Sequence, residues 1–328
     1  MLHVQVPATT ANMGPGFDAI GMAFQLYNHL WVEVLDEGLE IKVRINPGNA
    51  IPCDETNLIY KSICHFYQET GIGPVPGLRL IQEDYIPLTR GLGSSAACIV
   101  AGLLAANEIS NTKLSRDELA FMAATMEGHP DNTSPAILGG MIIGVLTSSA
   151  LHYTKIANHH INSIQFAVMI PSFTLCTEKA RNVLPENYKR EDVVFNASRA
   201  ALMTTAFMTG NFELLTDAMD DRIHQPYRSS LIPHMENIFR QAKMLGAKNV
   251  FLSGAGPTLI AVTNNDSFCL HMKDYLNTLP DSWIISFVSP DLTGARIIYD
   301  DNGHDNGHDG GHGDGHDDND DNVHYHGE

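Results

Sequence analysis

Pro87-Leu88-Thr89-Arg90-Gly91-Leu92-Gly93-Ser94-Ser95-Ala96-Ala97 opens directly into the apolar run from Cys98 to Ala106. Glycines at 91 and 93 let the main chain take conformations closed to other residues and approach a ligand closely. The helix predicted to follow presents unpaired N–H groups and the positive end of its dipole, so an anion, phosphate above all, suits this loop. Gly91-x-Gly93-x-x-Ala96 satisfies a dinucleotide fingerprint in form. That fingerprint needs a buried strand just before it, and only Tyr85 to Leu88 precede the polar Thr89 and Arg90. A P-loop is excluded, because neither Gly-Lys-Ser nor Gly-Lys-Thr occurs in the chain. Two readings stay open on these residues: a different phosphate cradle, with hydroxyls at Ser94 and Ser95, or a serine-capped helix start with no ligand.

The 328 residues, 44% of them apolar, are enough for a well-buried core and two domains of ordinary size. No stretch is long and apolar enough to span a membrane, and the alternation Leu2, Val4, Val6 predicts a strand in place of a signal peptide. The expected compartment is the cytoplasm. Five scattered cysteines without a C-x-x-C predict free thiols, with neither a disulfide framework nor a cysteine-based zinc site. A net charge of −18 argues against a nucleic-acid partner. Half of that charge sits in residues 301–328, which hold eight Asp, one Glu and no Lys or Arg. This Gly, Asp, Asn and His tail is expected to be disordered, since it has almost nothing to bury. Its His304, His308, His312 and His316 are candidate ligands for Ni, Zn or Cu ions, against the plainer reading of a solvated tail.

Strands are predicted at Leu2 to Pro7, Trp31 to Leu35, Glu40 to Ile45, Leu78 to Ile86 and Met141 to Thr147, in a largely antiparallel sheet. Helices are predicted at Asn57 to Glu69, at Ser94 to Ala106, where an apolar surface all round implies a central buried helix, and after the capping box Ser115-Arg116-Asp117-Glu118. The polar stretch Ser148 to Ser163 is the expected divide. Beyond it, strands at Ile164 to Ile170, Val250 to Leu252, Leu259 to Val262 and Trp283 to Val288, with helices at Ser198 to Met208 and Ile232 to Leu245, make a second α+β unit.

Glu127 closes the capped helix and opens the run Glu127-Gly128-His129-Pro130-Asp131-Asn132. A carboxylate in a last turn meets the negative end of the dipole at a cost of up to about 1 kcal/mol, so a compensating cation is expected there. Mg²⁺ is the natural candidate beside a phosphate cradle, and a solvated Glu at a helix end is the alternative. A third loop, Ser253-Gly254-Ala255-Gly256-Pro257-Thr258, and a fourth, Pro7-Ala8-Thr9-Thr10-Ala11-Asn12-Met13-Gly14-Pro15-Gly16-Phe17-Asp18, each follow a strand. Ordinary turn chemistry accounts for either one taken alone.

Taken together, Pro7 to Asp18, Pro87 to Ala97 and Ser253 to Thr258 resemble the three signature motifs of the GHMP kinases, the superfamily of galactokinase, homoserine kinase, mevalonate kinase and phosphomevalonate kinase. The N-terminal motif, the run Glu127 to Ala136 and His224-Gln225-Pro226-Tyr227-Arg228 resemble its homoserine kinase branch. The resemblance covers residues 1 to about 298 and implies an α+β fold of two domains. Residues 1–155 would form an ATP-binding domain like ribosomal protein S5 domain 2, with a left-handed β-α-β crossover, and 156–300 a ferredoxin-like domain, ahead of the tail at 301–328. It further implies a homodimer and transfer of the γ-phosphoryl of MgATP to the side-chain hydroxyl of L-homoserine, on the way to threonine.

The same resemblance implies roles. Pro87, Arg90, Gly91, Leu92, Gly93, Ser94, Ser95 and Ala96 would wrap ATP, Asn57 would contact adenine, and one serine hydroxyl, Ser95 or its neighbour Ser94, would hold Mg²⁺ with Glu127. Arg181 and Arg228 would clamp the acceptor's carboxylate, a task suited to planar guanidinium groups. Asn12, Asp18, His129 and Gly254 would surround its amino group and hydroxyl, with Asp18 the candidate base. Another small-molecule kinase of the superfamily, or a non-catalytic ligand sensor or metal-binding protein of the same fold, stays open as an alternative.

Overall fold

The alternation at Leu2, Val4 and Val6 is realised as strand β1 (Leu2–Ala11), with Val4 and Val6 buried and His3 and Gln5 on the opposite face. The structure is a computed structural model and describes residues 1–45 and 51–299. The tail histidines 304, 308, 312 and 316 therefore lie outside the described residues. After β1 come β2 (Ile20–Leu35), β3 (Leu39–Ile45), α1 (Leu58–Thr70), β4 (Gly77–Glu83), α2 (Ser94–Ile109), α3 (Arg116–Glu127), α4 (Thr133–Leu138), β5 (Met141–Leu146) and β6 (Leu151–Ile156). β2 is antiparallel to β1 and long enough to pair with β4 at one end and β5 at the other. β3 lies parallel to β4, with α1 as the crossover between them.

Helix α2 is the centre of this half. Every residue from Ala96 to Ala106 is buried, and the helix packs on α1, α3, α4 and β1. Side chains such as Val100 and Leu103 each contribute about 1.5–3 kcal/mol by leaving water. The capping box starts α3 as expected: Ser115 N donates to Glu118 Oε2 (2.8 Å) and Glu118 N to Ser115 Oγ (3.3 Å). The polar stretch taken as a divide contains β6, an edge strand paired only with β5, whose His152 and Thr154 face water between Leu151, Tyr153 and Ile156. One wet face hid its strand character.

The chain continues through β7 (Gln165–Pro171), α5 (Thr177–Asn182), α6 (Arg190–Thr209), α7 (Leu215–Ala218), α8 (Gln225–Arg228), α9 (Met235–Met244), β8 (Asn249–Leu252), β9 (Leu259–Thr263), α10 (Phe268–Leu276), β10 (Trp283–Val288) and β11 (Arg296–Ile298). The strands of the second sheet stand in the order β10-β7-β9-β8, all antiparallel, which is the ferredoxin-like arrangement. Ile238 and Ala242 of α9 and Phe268, Met272 and Leu276 of α10 fill its core against Leu252, Leu259 and Trp283. β11 returns to the first sheet and pairs with β1. The α+β class is as expected, and residues 1–298 form one compact unit. Helix α6 starts well before Ser198, because Val193 and Val194 in its first turns stay exposed and give no apolar periodicity.

Candidate active site

Gly91 and Gly93 have φ angles of 74° and 72°, in the left-handed region that favours glycine, and Gly93 is the residue before α2. A Cβ on Gly91 would overlap the carbonyl oxygen of Ser253, and one on Gly93 the hydroxyl of Thr9. The loop is stitched to its neighbours as closely as that implies. Ser253 Oγ donates to Gly91 O (2.6 Å), Thr258 N to Arg90 O (3.3 Å) and Thr9 N to Leu92 O (3.1 Å). Arg90 donates to the carbonyls of Pro171 (3.0 Å), Ser172 (2.7 Å) and Leu88 (3.4 Å), so its guanidinium ties the loop to the end of β7. The side chain of Leu92 turns into the core.

Among the described residues that line the cavity with this loop, two side chains carry a buried oxygen without a partner. Ser94 Oγ and Glu127 Oε2 are buried without a hydrogen bond, while Ser95 is exposed. Burial pushes the Glu127 carboxyl above its usual range; His129 and Arg181 pull it down and Asp131 adds to the rise. Each orphaned oxygen costs about 1–3 kcal/mol unless a ligand satisfies it. An all-oxygen donor set beside a phosphate site fits Mg²⁺. Asn57 is the N-cap of α1: its Oδ1 accepts from Ile59 N (2.9 Å) and Tyr60 N (3.4 Å), and its Nδ2 donates to Pro52 O (2.8 Å) and Gln82 Oε1 (3.3 Å).

The other end is built from long side chains already paired with one another. Arg181 donates from Nη1 and Nη2 to the two oxygens of Asp18 (3.2 and 3.0 Å). Asn12 and Asp18 both have positive φ, 68° and 54°, and Asn12 holds the turn by accepting from Asp18 N (2.9 Å) and donating to Gly254 O (2.8 Å). His129 Nδ1 meets Asp131 Oδ1 at 2.5 Å. Burial works against the imidazolium, but that hydrogen bond and the charges of Asp131, Asp18 and Glu127 outweigh it and raise the His129 pKa. Arg228 is 2% exposed. It donates to Ala180 O (3.0 Å), Gly254 O (3.0 Å) and His224 Nδ1 (3.3 Å), all uncharged acceptors, and keeps both Nη2 donors free of them. His224, fully buried, uses Nε2 to donate to Gly14 O (2.7 Å), and burial first, then Arg228, lowers its pKa.

Both groups line one cavity of about 380 Å³, Pro87, Gly91 and Ser95 from the loop together with Asp18, His129 and Arg228. Of the candidate residues within the described chain, only Leu92 does not line it. Residues 57–140 match the family of GHMP kinases N terminal domains, and residues 203–267 the GHMP kinases C terminal family. A homoserine kinase of Caldicellulosiruptor saccharolyticus is 46% identical over 90% of this chain and 96% of its own length. One of Clostridium botulinum (strain Alaska E43 / Type E3) is 41% identical over 92% and 100%. The chain belongs to the homoserine kinase family of the GHMP kinases. The crystal structure of homoserine kinase from Cytophaga hutchinsonii superimposes with a TM-score of 0.82 at 25% identity, over 90% of this chain and 97% of that one.

For a GHMP kinase of this branch, the sequence reading passed over two cavity residues inside a run it quoted. Asp131 is 1% exposed and orients His129; Asn132 accepts from Thr9 Oγ1 (2.9 Å) and so ties β1 to the start of α4. A carboxylate two residues from a histidine was the available signal. Ser253 was also passed over, and its hydroxyl, which donates to Gly91 O and accepts from Thr10 Oγ1 (2.8 Å), has no sequence signal beyond its place in a glycine loop.

Proposed function

We propose that the cavity binds MgATP with its phosphates on Gly91 to Ser95, binds L-homoserine at the opposite end, and transfers the γ-phosphoryl group to the side-chain hydroxyl to give O-phospho-L-homoserine. The observation that carries this reading is Arg228, a buried guanidinium whose hydrogen-bond acceptors among the described residues are all neutral, in the same cavity as a main-chain phosphate cradle. The charges of Asp18, Asp221 and Asp131 offset part of the burial of this cation, and its Nη2 edge, without a hydrogen bond among the described residues, suits a carboxylate. Arg181 is the second clamp.

Ligand atoms of Asp18, His129 and Asp131 lie within 4.8 Å of one another, a small acidic group suited to the substrate's ammonium. Asn12 and Gly254 fix the wall behind it. Asp18 is the candidate base for the hydroxyl proton, and His129, backed by Asp131, supplies a hydrogen bond beside it. Glu127 and one hydroxyl of the Ser94-Ser95 pair would hold Mg²⁺, whose chemistry when bound is to neutralise charge on the transferring phosphoryl. Such transfer rests largely on positioning and charge stabilisation, so the Gly91 to Ser95 amides matter more than any single base.

The division at residue 155, a homodimer and a cytoplasmic setting belong to the same reading. Among the described residues no helix is long and apolar enough to cross a membrane, and all five cysteines are free thiols. Chelation of Ni, Zn or Cu by the tail is separable: deletion of 301–328 is expected to leave kinase kinetics unchanged and to abolish Ni²⁺ binding. For the reaction itself, incubation with MgATP and L-homoserine is expected to give homoserine-dependent ADP release and a new phosphomonoester resonance in the ³¹P spectrum. No release with homoserine but release with another alcohol, such as mevalonate, would overturn the reading in favour of another acceptor, and no release with any acceptor would favour a non-catalytic sensor.

A further inference from the structure

Just beyond β4, Asp84 is 7% exposed, and no ion pair engages it among the described residues. Its two oxygens accept from Asn28 Nδ2 and Gln82 Nε2, each at 2.7 Å. Burial pushes the carboxyl up to about 6, with the Gln82 hydrogen bond opposing. At neutral pH it is therefore ionised and can only accept, which obliges both amides to turn their nitrogens toward it. Their oxygens then face outward, and each meets a donor at the edge of the nucleotide end. Asn28 Oδ1 accepts from Ile86 N (2.8 Å), the amide just before Pro87 and the phosphate loop. Gln82 Oε1 accepts from Asn57 Nδ2 (3.3 Å), the side chain that caps α1 and also holds Pro52 O (2.8 Å). Asn57, Gln82 and Pro52 line the cavity, and Asp84 does not.

We infer that Asp84 is a positioning residue for nucleotide binding: its carboxylate sets the polarity of two hydrogen-bond chains that hold the base-side wall and the root of the phosphate loop. This rests on reading the cavity as a kinase site. The chains run one way, α1 amides to Asn57 to Gln82 to Asp84, and Ile86 to Asn28 to Asp84. Asparagine at 84 would present one donor and one acceptor, so one of the two chains must break.

The order of donors can be restored by moving the carboxylate. In the double variant Asp84→Asn with Gln82→Glu, Asn28 donates to the new amide oxygen, the new amide nitrogen donates to the new carboxylate, and Asn57 donates to its other oxygen. Steady-state kinetics of the full chain is expected to show a KM for ATP raised about tenfold in Asp84→Asn, the loss of roughly one hydrogen bond. The KM for homoserine should stay within about twofold, and the double variant should recover most of the loss for ATP. The Ile86 amide, followed by hydrogen exchange, should lose protection in the single variant and regain it in the double.

An unchanged KM for ATP in a folded Asp84→Asn, or a folded double variant that recovers neither KM nor Ile86 protection, would overturn the inference. If Asp84→Asn does not fold, the double variant decides alone, with a near wild-type KM for ATP supporting the chain and an unfolded or ATP-blind protein contradicting it. Wild-type protein without homoserine-dependent turnover would refute the kinase reading instead, while the exchange pattern would still test the chains.

Discussion

The two ends of the cavity are built on different physics. The phosphate end is main chain: Gly91 and Gly93 in left-handed conformations, fixed by Ser253 and Thr9, with Ser94 Oγ and Glu127 Oε2 unpartnered beside them. The acceptor end is side chain: Arg181 on Asp18, His129 on Asp131, Arg228 on Gly254. The first is a preformed surface with unmet valences, so a ligand adds interactions without displacing any. The second is partly satisfied by itself. On the proposed function an acceptor would exchange partners there, its ammonium replacing Arg181 on Asp18 while its carboxylate takes up the guanidinium, and only a zwitterion would return both. On that reading nucleotide affinity would be set by backbone shape and acceptor specificity by charge.

The largest expected effect tests the unmet valences. Glu127→Gln should lower kcat by about 10²–10³, with the circular dichroism unchanged and the Mg²⁺ requirement altered. Next comes the shape of the main chain. Gly91→Ala places a methyl group against the carbonyl of Ser253 at positive φ, and the strain of a few kcal/mol should raise the KM for ATP by about 10² while leaving homoserine affinity nearly intact. If both KM values rose alike, the two ends would not be independent.

At the acceptor end, Arg228→Lys should raise the KM for homoserine by about tenfold to a hundredfold, since a fork is replaced by a point charge. Asp18→Asn sharpens the exchange argument. The Asp18–Arg181 pair is partly exposed and worth at most about 1 kcal/mol, so thermal stability should hardly move, while homoserine binding weakens. Unchanged turnover in that variant, with affinity intact, would remove the base role.

The smallest effect is on stability against pH. The His129 pKa is raised above its ordinary 6.5 by Asp131, Asp18 and Glu127, against the opposing effect of burial. Its contribution is then fully present below about pH 6.5 and lost as pH rises through the folded value. Thermal unfolding of the wild type, compared with His129→Gln, should show this difference shrinking as pH rises above about 6.5. A difference that grows over that range would give the shift the wrong sign.

The same contrast explains what could be read in the chain. Gly91, Gly93 and the capping box at Ser115 act through local backbone geometry, which neighbours in sequence dictate, so the cradle and helices α2 and α3 were legible. The pairing of Arg181 with Asp18 joins residues 163 apart, and that of Asn12 with Gly254 residues 242 apart. Such contacts are products of packing and leave no local mark. β6 was missed because its exposed polar face resembles a linker, and α10 because its apolar residues Phe268, Met272 and Leu276 make a narrow stripe. Asp131 and Asn132 lay in view beside His129, yet only burial of Asp131 distinguishes it from a turn residue.

Acceptor selectivity tests the central claim most directly. ADP release with saturating MgATP should be measured for L-homoserine, for 3-amino-1-propanol, which lacks the carboxylate, and for mevalonate, shikimate and galactose. Arg228 and Arg181 predict a kcat/KM for homoserine at least about a hundredfold above every other acceptor, since loss of the carboxylate leaves two guanidinium groups unanswered. Equal turnover of homoserine and 3-amino-1-propanol, or a preference for mevalonate, would contradict it.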